Sequence, residues 1–450
     1  MLGANARVRR GWSTLRRVGA AARLTAAGAV GVGPKVPPGP LGPFSIARFA
    51  DDQFYLRKFR RYGPIFKVVW NQNVAICIVG FERARRLFAA HGRALLPLTI
   101  DIESFVPFGF MRRMAPEPHA RYRGLFVLAL RVNPALTWED DLRTLIREEL
   151  AQLASAVPAA GKQSLNVALD RIATKSLILM FIGVRPTQPQ FAMLESAFRR
   201  MGPHEFEYPL GDEQHAGFAT IRALVGQAVS DAKNGSSWAS ADGVLGRLIG
   251  DRGSAVDETV VGNLIYMVEM GRYDVRSLMR WVLKYLSDAP DVIADLRRAL
   301  AARLDGADCP FAESIVLETL RLDQAEALNR TVLADFDFEG YRIPKDSALR
   351  VLIRESHQDA ATFSEPARFK PCRFTGKTYP SHSFAPFGIG DHRCIAAALV
   401  VRLSQLLVEE LASSYDWSVS GEGHRFRGRY HWEPAPGFDL VLRRRPVATA

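Results

Sequence analysis

The chain has four cysteines, Cys77, Cys309, Cys372 and Cys394, and the last stands apart. It lies in FAPFGIGDHRCIAAALV, residues 384–400, with glycines and a proline crowded before it and an alanine-rich run behind. Gly388 and Gly390 let the backbone turn sharply and approach a ligand closely. The run CIAAALVVRLSQLLVEEL has helical character and puts Cys394 near a helix N-terminus. Backbone donors and the helix dipole stabilise a thiolate there. A thiolate needs a partner, which is an electrophile, a metal or haem iron. Cys77 on an apolar strand, Cys309 and Cys372 read instead as small buried hydrophobes.

Three further groupings carry charge at useful spacing. In ESIVLETLRLD, Glu318 and Arg321 stand three apart and share a helix face, the geometry of a salt bridge. In HARYR, His119 and Arg123 stand four apart, two donors on one face that suit an anion. Arg330 in ALNRTVL and Arg373 in FKPCRF complete the set.

These elements, in this order, resemble the cytochrome P450 family over about residues 36–445. FGIGDHRC matches that family's haem loop, F-x-x-G-x-[HR]-x-C, with Phe387, Gly390, His392 and Cys394 in register. The resemblance implies haem b as cofactor, with the Cys394 thiolate as the iron ligand that pushes electron density onto the metal. It implies that Phe387 packs near the sulfur and that His119, Arg123, Arg330 and His392 hold the haem propionates. It makes Glu318, Arg321 and Arg373 a buried structural triad behind the haem. The family usually has glycine two residues after the cysteine, and this chain has Ala396.

The distal side departs further. Residues 257–287 contain no proline, and as one helix they run about 45 Å at 1.5 Å per residue. Their ends are apolar, but the middle carries Glu269, Arg272, Asp274 and Arg276. The family's distal helix carries an acid–alcohol pair that relays protons to iron-bound oxygen. Here the stretch is Met270-Gly271-Arg272-Tyr273-Asp274-Val275, which puts Tyr273 at the acid position and Asp274 at the alcohol position. Asp274 and Tyr273 are therefore the candidate catalytic residues, for general acid or base work. The expected reaction is monooxygenation of a small, apolar, lipid-like or secondary-metabolic molecule. The altered pair leaves open a peroxygenase with Arg272 or Arg276 on a substrate carboxylate, an oxygen-independent rearrangement or dehydration, and a non-catalytic haem protein.

The elements that must position these groups read as a mainly α fold with a minor β-sheet. FKVVWNQNVAICIVG (66–80) predicts two strands around Asn71-Gln72-Asn73, helical patterns dominate from about 82 to 330, and ADFDFEGYRIPKDSALRV (334–351) predicts short strands joined by tight turns. GFDLVLRRR (437–445) closes a small sheet. A substrate loop is expected at 96–115, where phenylalanines and methionines predict an apolar pocket.

The domain reading is a basic, disordered arm at 1–35 and one haem domain at 36–450. The arm holds seven basic residues and no acid, so it supplies +7 of the net +12 and leaves +5 for the rest. That asymmetry excludes a nucleic-acid-binding surface as the source of the charge. No segment reads as a transmembrane anchor. Scattered thiols predict a reducing compartment. The expected location is the cytoplasm, with a mitochondrial transit peptide as the alternative for the arm. A soluble bacterial-type member of the family implies a ferredoxin or other electron donor at the proximal face.

Overall fold

The structure is a computed structural model that describes residues 35–39, 51–70, 73–98, 109–160, 165–202, 211–252, 256–302, 308–323, 327–420, 425–427, 432–434 and 439–446. The basic arm, except Lys35, lies outside the described residues, as do Asn71, Gln72 and residues 99–108 of the expected substrate loop.

Helix α1 (Phe54–Tyr62) leads into strands β1 (Ile65–Trp70) and β2 (Asn73–Ile78), then α2 (Phe81–His91) and β3 (Leu95–Pro97). A 3-10 turn at Met111–Arg113 precedes α3 (Pro116–Ala129), α4 (Pro134–Thr137), α5 (Glu139–Ala160) and α6 (Leu165–Leu177). A π turn at Ile178–Ile182 extends α6. There follow α7 (Pro189–Met201), α8 (Asp212–Lys233), α9 (Val244–Arg252), α10 (Glu258–Ser287), α11 (Pro290–Ala302) and α12 (Pro310–Leu322). The chain then forms β4 (Ala327–Val332), β5 (Phe336–Phe338), β6 (Tyr341–Ile343), β7 (Ala348–Leu352) and α13 (Ile353–Ser356). After a long irregular stretch come α14 (Ala397–Ser414), β8 (Tyr415–Ser420), β9 (Arg425–Arg427), β10 (Trp432–Pro434) and β11 (Asp439–Arg444).

This is the mainly helical architecture with small sheets that the sequence predicts. The largest sheet has the order β1-β2-β7-β4-β3 and joins strands from residues 65–97 to strands from residues 327–352. The tight turns of the 334–351 segment are present, with positive φ at Glu339, Gly340 and Asp346. Two sequence expectations are corrected. Helical pattern does not run to residue 330: Arg330 lies inside β4, opposite Leu349 of β7. Cys372 is exposed, whereas Cys77 and Cys309 are buried as expected.

The long helix is continuous. Asp257 caps it, its side chain accepting from Val260 N at 2.9 Å. Most of its residues are buried, so its stability comes from packing on neighbours rather than from propensity. Against α6 it approaches closely at Gly271, where an added Cβ would sit 3.2 Å from Leu177 Cδ1. Leu177 is itself buried and has little room to move.

Glu318 and Arg321 on α12 are sealed from water, each 0% exposed. Arg321 Nε and Nη2 donate to the two Glu318 oxygens at 2.7 and 2.8 Å. Its remaining N–H groups reach the carbonyls of His357 (3.2 Å), Pro366 (2.8 Å) and Arg368 (3.2 Å). A guanidinium has five donors, and here all five are used. Arg373 Nε donates to Glu318 Oε1 at 3.2 Å, and Lys370 N to the same oxygen at 2.9 Å. The structure thus brings the three residues of the expected triad together and fastens the irregular stretch at 357–373 to α12.

Two substitutions test these contacts. Arg321→Ala strands the buried Glu318 charge and is expected to cost about 3–5 kcal/mol in denaturant unfolding. Gly271→Val forces a branched side chain against Leu177 and is expected to cost about 1–3 kcal/mol, outweighing the better helix propensity.

Candidate functional site

The loop before α14 is shaped by its glycines. Gly388 and Gly390 have φ of 84° and 69°, where a side chain is strained. A Cβ on Gly388 would also meet Leu328 Cδ2 at 3.2 Å. Gly388 N donates to Ala385 O at 3.1 Å, Arg393 N to Gly390 O at 3.0 Å and Cys394 N to Phe387 O at 2.9 Å. Phe387 and Cys394 are thereby held together. Ala396 adopts φ −94°, ψ 13° as the N-cap of α14, a conformation an alanine takes without strain.

Cys394 is solvent-accessible. Although the residue is exposed, the protein packed around its sulfur raises the thiol above the usual pKa by desolvation, and the charge of Asp274 adds to this. The Ala396 N–H, Arg112 and Arg123 pull the other way.

Cationic side chains gather beside this loop. The His119 and His392 rings lie 4.3 Å apart. Arg123 Nη2 donates to Arg393 O at 2.7 Å. Arg330 is buried, donates to Asn329 O at 2.9 Å and lies over the Phe88 ring. Burial and the repulsion of Arg330, His119, Arg112 and Arg123 push His392 down to about 3. Burial and Arg112 lower Arg330 to about 10. His119 and Arg123 are lowered chiefly by burial, with Asp391 opposing. Like charges this crowded favour an anionic ligand, and the carboxylates of a haem complement them. A thiol facing α10 from one side and a cluster of cations at its edge are the donor set a haem requires, so these residues fit the group.

On α10, Met267, Met270, Gly271 and Asp274 form a stripe of partly or fully exposed positions on an otherwise buried helix. Asp274 is exposed on this helix, and its charge is felt at both Cys394 and Arg112. Arg112 is held in place by its segment. Asn263 accepts from Met111 N at 3.0 Å and donates to Gly109 O at 2.9 Å, while Phe110 packs edge-on against Tyr266 at 4.7 Å. Arg112 itself reaches Tyr266 Oη at 3.5 Å.

Tyr273 is corrected as a catalytic candidate. It is buried, with its hydroxyl accepting from Arg272 Nη2 at 3.1 Å and its ring under both Arg272 and Arg276. Arg272 is fully buried and paired with Glu269 at 2.9 Å and with Asp170 of α6 at 3.6 Å; Arg276 reaches Asp170 at 3.5 Å. Glu269, Arg272, Tyr273 and Arg276 are spaced i, i+3, i+4 and i+7 and so share one helix face, which Asp170 places toward α6. The expectation that Arg272 or Arg276 binds a substrate carboxylate is corrected for the same reason. Sequence reasoning missed Arg112 and Asp170, whose importance comes from elements far away in the chain.

The cytochrome P450 family model matches residues 274–426. The chain is similar to abscisic acid 8'-hydroxylase 1 of Arabidopsis thaliana, at 24% identity over 91% of this chain and 92% of that protein. It is likewise similar to abscisic acid 8'-hydroxylase 3 of Oryza sativa subsp. japonica, at 25% identity over 91% of this chain and 86% of that one. Among solved structures, retinoic acid-bound cyanobacterial CYP120A1 has the same fold, with a TM-score of 0.73 at 18% identity, covering 92% of this chain and 100% of that chain. Motifs, fold and relatives agree: the chain resembles the cytochrome P450 family of haem b-dependent oxidoreductases, and the matched residues include Cys394.

Proposed function

We propose that this chain is a monooxygenase acting on a small apolar organic molecule held against the Met267–Asp274 stripe of α10. The observation that carries the proposal is the Cys394 loop itself, turned at Gly388 and Gly390 with Cys394 N bonded to Phe387 O, and with His119, His392 and Arg123 gathered beside it. Bound haem supplies the oxidising chemistry, and a thiolate ligand pushes electron density toward its iron. In this reading Cys394 is that ligand, and His119, Arg123, Arg330 and His392 bind the propionates. Met267 and Met270 give the substrate an apolar, adaptable wall. Asp274 holds and moves the proton that the family's acid–alcohol pair handles elsewhere, within the field of Arg112. The relatives named for abscisic acid and the retinoic acid-bound neighbour support a compact, largely hydrocarbon substrate.

We assign electron delivery to a ferredoxin-like partner at the face behind Cys394. A groove of about 610 Å³ there is lined by Leu136, Phe387, Arg393, Ala397, Val401 and Arg402, among others. Exposed Val132 and Leu136 add apolar contact area. We place the protein in the cytoplasm, a reading supported by its scattered free thiols. Among the described residues no helix is long and apolar enough to cross a membrane.

A second reading, use of peroxide in place of oxygen and reductase, is favoured by the Asp274–Arg112 couple. It replaces an acid–alcohol relay with one carboxylate beside one cation.

Two variants test the assignment. Reduced wild-type protein under carbon monoxide is expected to give the thiolate-type Soret shift, and Cys394→Ala to abolish it; a variant that kept the shift would remove Cys394 as the ligand. Asp274→Asn keeps shape but cannot exchange a proton. It is expected to lower turnover by roughly a hundredfold with folding and haem spectrum unchanged. Running the assay with ferredoxin plus NADPH and with hydrogen peroxide separates the two readings. Equal turnover in wild type and Asp274→Asn under both conditions would exclude Asp274 from catalysis.

A further inference from the structure

His357 lies outside every motif, yet it touches both the ion network and the cysteine loop. It follows α13 and is fully buried. Its carbonyl accepts from Arg321 Nη1 at 3.2 Å. Its ring nitrogen Nε2 accepts from the backbone N–H of Ala385 at 3.2 Å. The ring sits among Phe81, Phe384 and Phe363, with centroids 5.0, 5.2 and 6.3 Å away.

Because Nε2 accepts, the proton of the neutral ring is on Nδ1, and Nδ1 has no protein partner among the described residues. Burying an unpaired donor is unfavourable. A phenylalanine would fill the same aromatic box without that cost, but it would leave the Ala385 N–H unpaired. Burial, with Arg321 adding to it, pushes His357 down to about 3, so the ring stays a neutral acceptor across the physiological range. Ala385 opens the cysteine loop: its carbonyl takes the Gly388 N–H, and Phe387 takes that of Cys394.

We infer that His357 is a positioning residue for the thiolate, pinning the start of the Cys394 loop to the Glu318–Arg321–Arg373 network through Ala385. The inference rests on Cys394 being the iron ligand. Its role is to keep the sulfur aimed, so that the ligand does not relax to a protonated or displaced thiol.

The test uses the full-length holoenzyme. In wild type, hydrogen exchange of the peptide spanning 384–388 is expected to be protected by roughly a hundredfold or more over an unstructured chain. In His357→Phe, that protection is expected to fall and the reduced carbon monoxide complex to convert from the thiolate-type to the thiol-type spectrum roughly tenfold faster, at equal haem content. His357→Gln, whose Oε1 can take the place of Nε2, is expected to restore both. A purely structural role lowers thermal stability without changing the rate of spectral conversion, and that result overturns the inference. Fast exchange of the 384–388 peptide in wild type overturns it too, even if His357→Phe fails to fold. Absence of any thiolate-type spectrum in wild type fails the Cys394 assignment, a separate outcome from the exchange result.

Discussion

One buried carboxylate holds the proximal half of this protein together. Glu318 takes two bonds from Arg321, one from Arg373 and one from the Lys370 backbone, entirely out of water. Desolvating such charges is expensive, and a hydrophobic cluster of the same volume would serve stability as well or better. What apolar residues cannot supply is direction. The fully occupied guanidinium of Arg321 collects carbonyls from residues 357, 366 and 368, none of which belongs to a regular element with its own hydrogen-bond ladder. The stretch between α13 and α14 has little secondary structure to hold it, so the ion network does that work. The cysteine loop is the last part of that stretch, and its geometry inherits the network's rigidity.

The distal side follows a different logic. There a second set of charges, Asp170, Glu269, Arg272 and Arg276, lies between α6 and α10, facing away from Cys394. It fixes the rotation of α10 about its axis, since a helix turned by one residue would carry Arg272 out of reach of Asp170. That rotation is what puts Asp274 on an exposed face of the helix and Tyr273 on a buried one. Two neighbours in sequence thus receive opposite roles from a contact made on the far face of the helix.

How much of this could be read from sequence depends on how local each signal is. Cys394, Phe387 and His392 lie within a few residues, and their spacing alone encodes the loop. Glu318 and Arg321 share one helical turn, so their pairing was legible, and the tight turns around Gly340 and Asp346 were marked by their own residue types. Continuity of α10 followed from the absence of proline. The failures are long-range. Tyr273 looked catalytic because register along a helix does not say which face is buried, and the answer lay with Asp170 a hundred residues earlier. Arg330 looked like a residue before the sheet because β4 is recognisable only beside β7. Cys372 looked like core because its neighbours in FKPCRF are not a regular element, so no periodicity marks its side as outward. Arg112 and His357 carried no signal at all, since each matters only through a partner on another element.

The sheet order β1-β2-β7-β4-β3 ties residues near the start of the chain to residues made much later. Ala75 pairs in parallel with Ala348, and Leu95 pairs antiparallel with Val332. A ribosome emits the β1–β2 hairpin early, with the edge of β2 bare, and the intervening helices must emerge before β7 can cover it. Non-local pairing of this kind is slow to form and leaves an exposed edge in the meantime. The order of synthesis therefore sets an order of assembly: helices first, sheet second, and the cysteine loop after both. Cofactor capture becomes a late event that a nascent chain reaches only after β7, and a chain stalled before β7 is one with an open sheet edge rather than an incomplete enzyme.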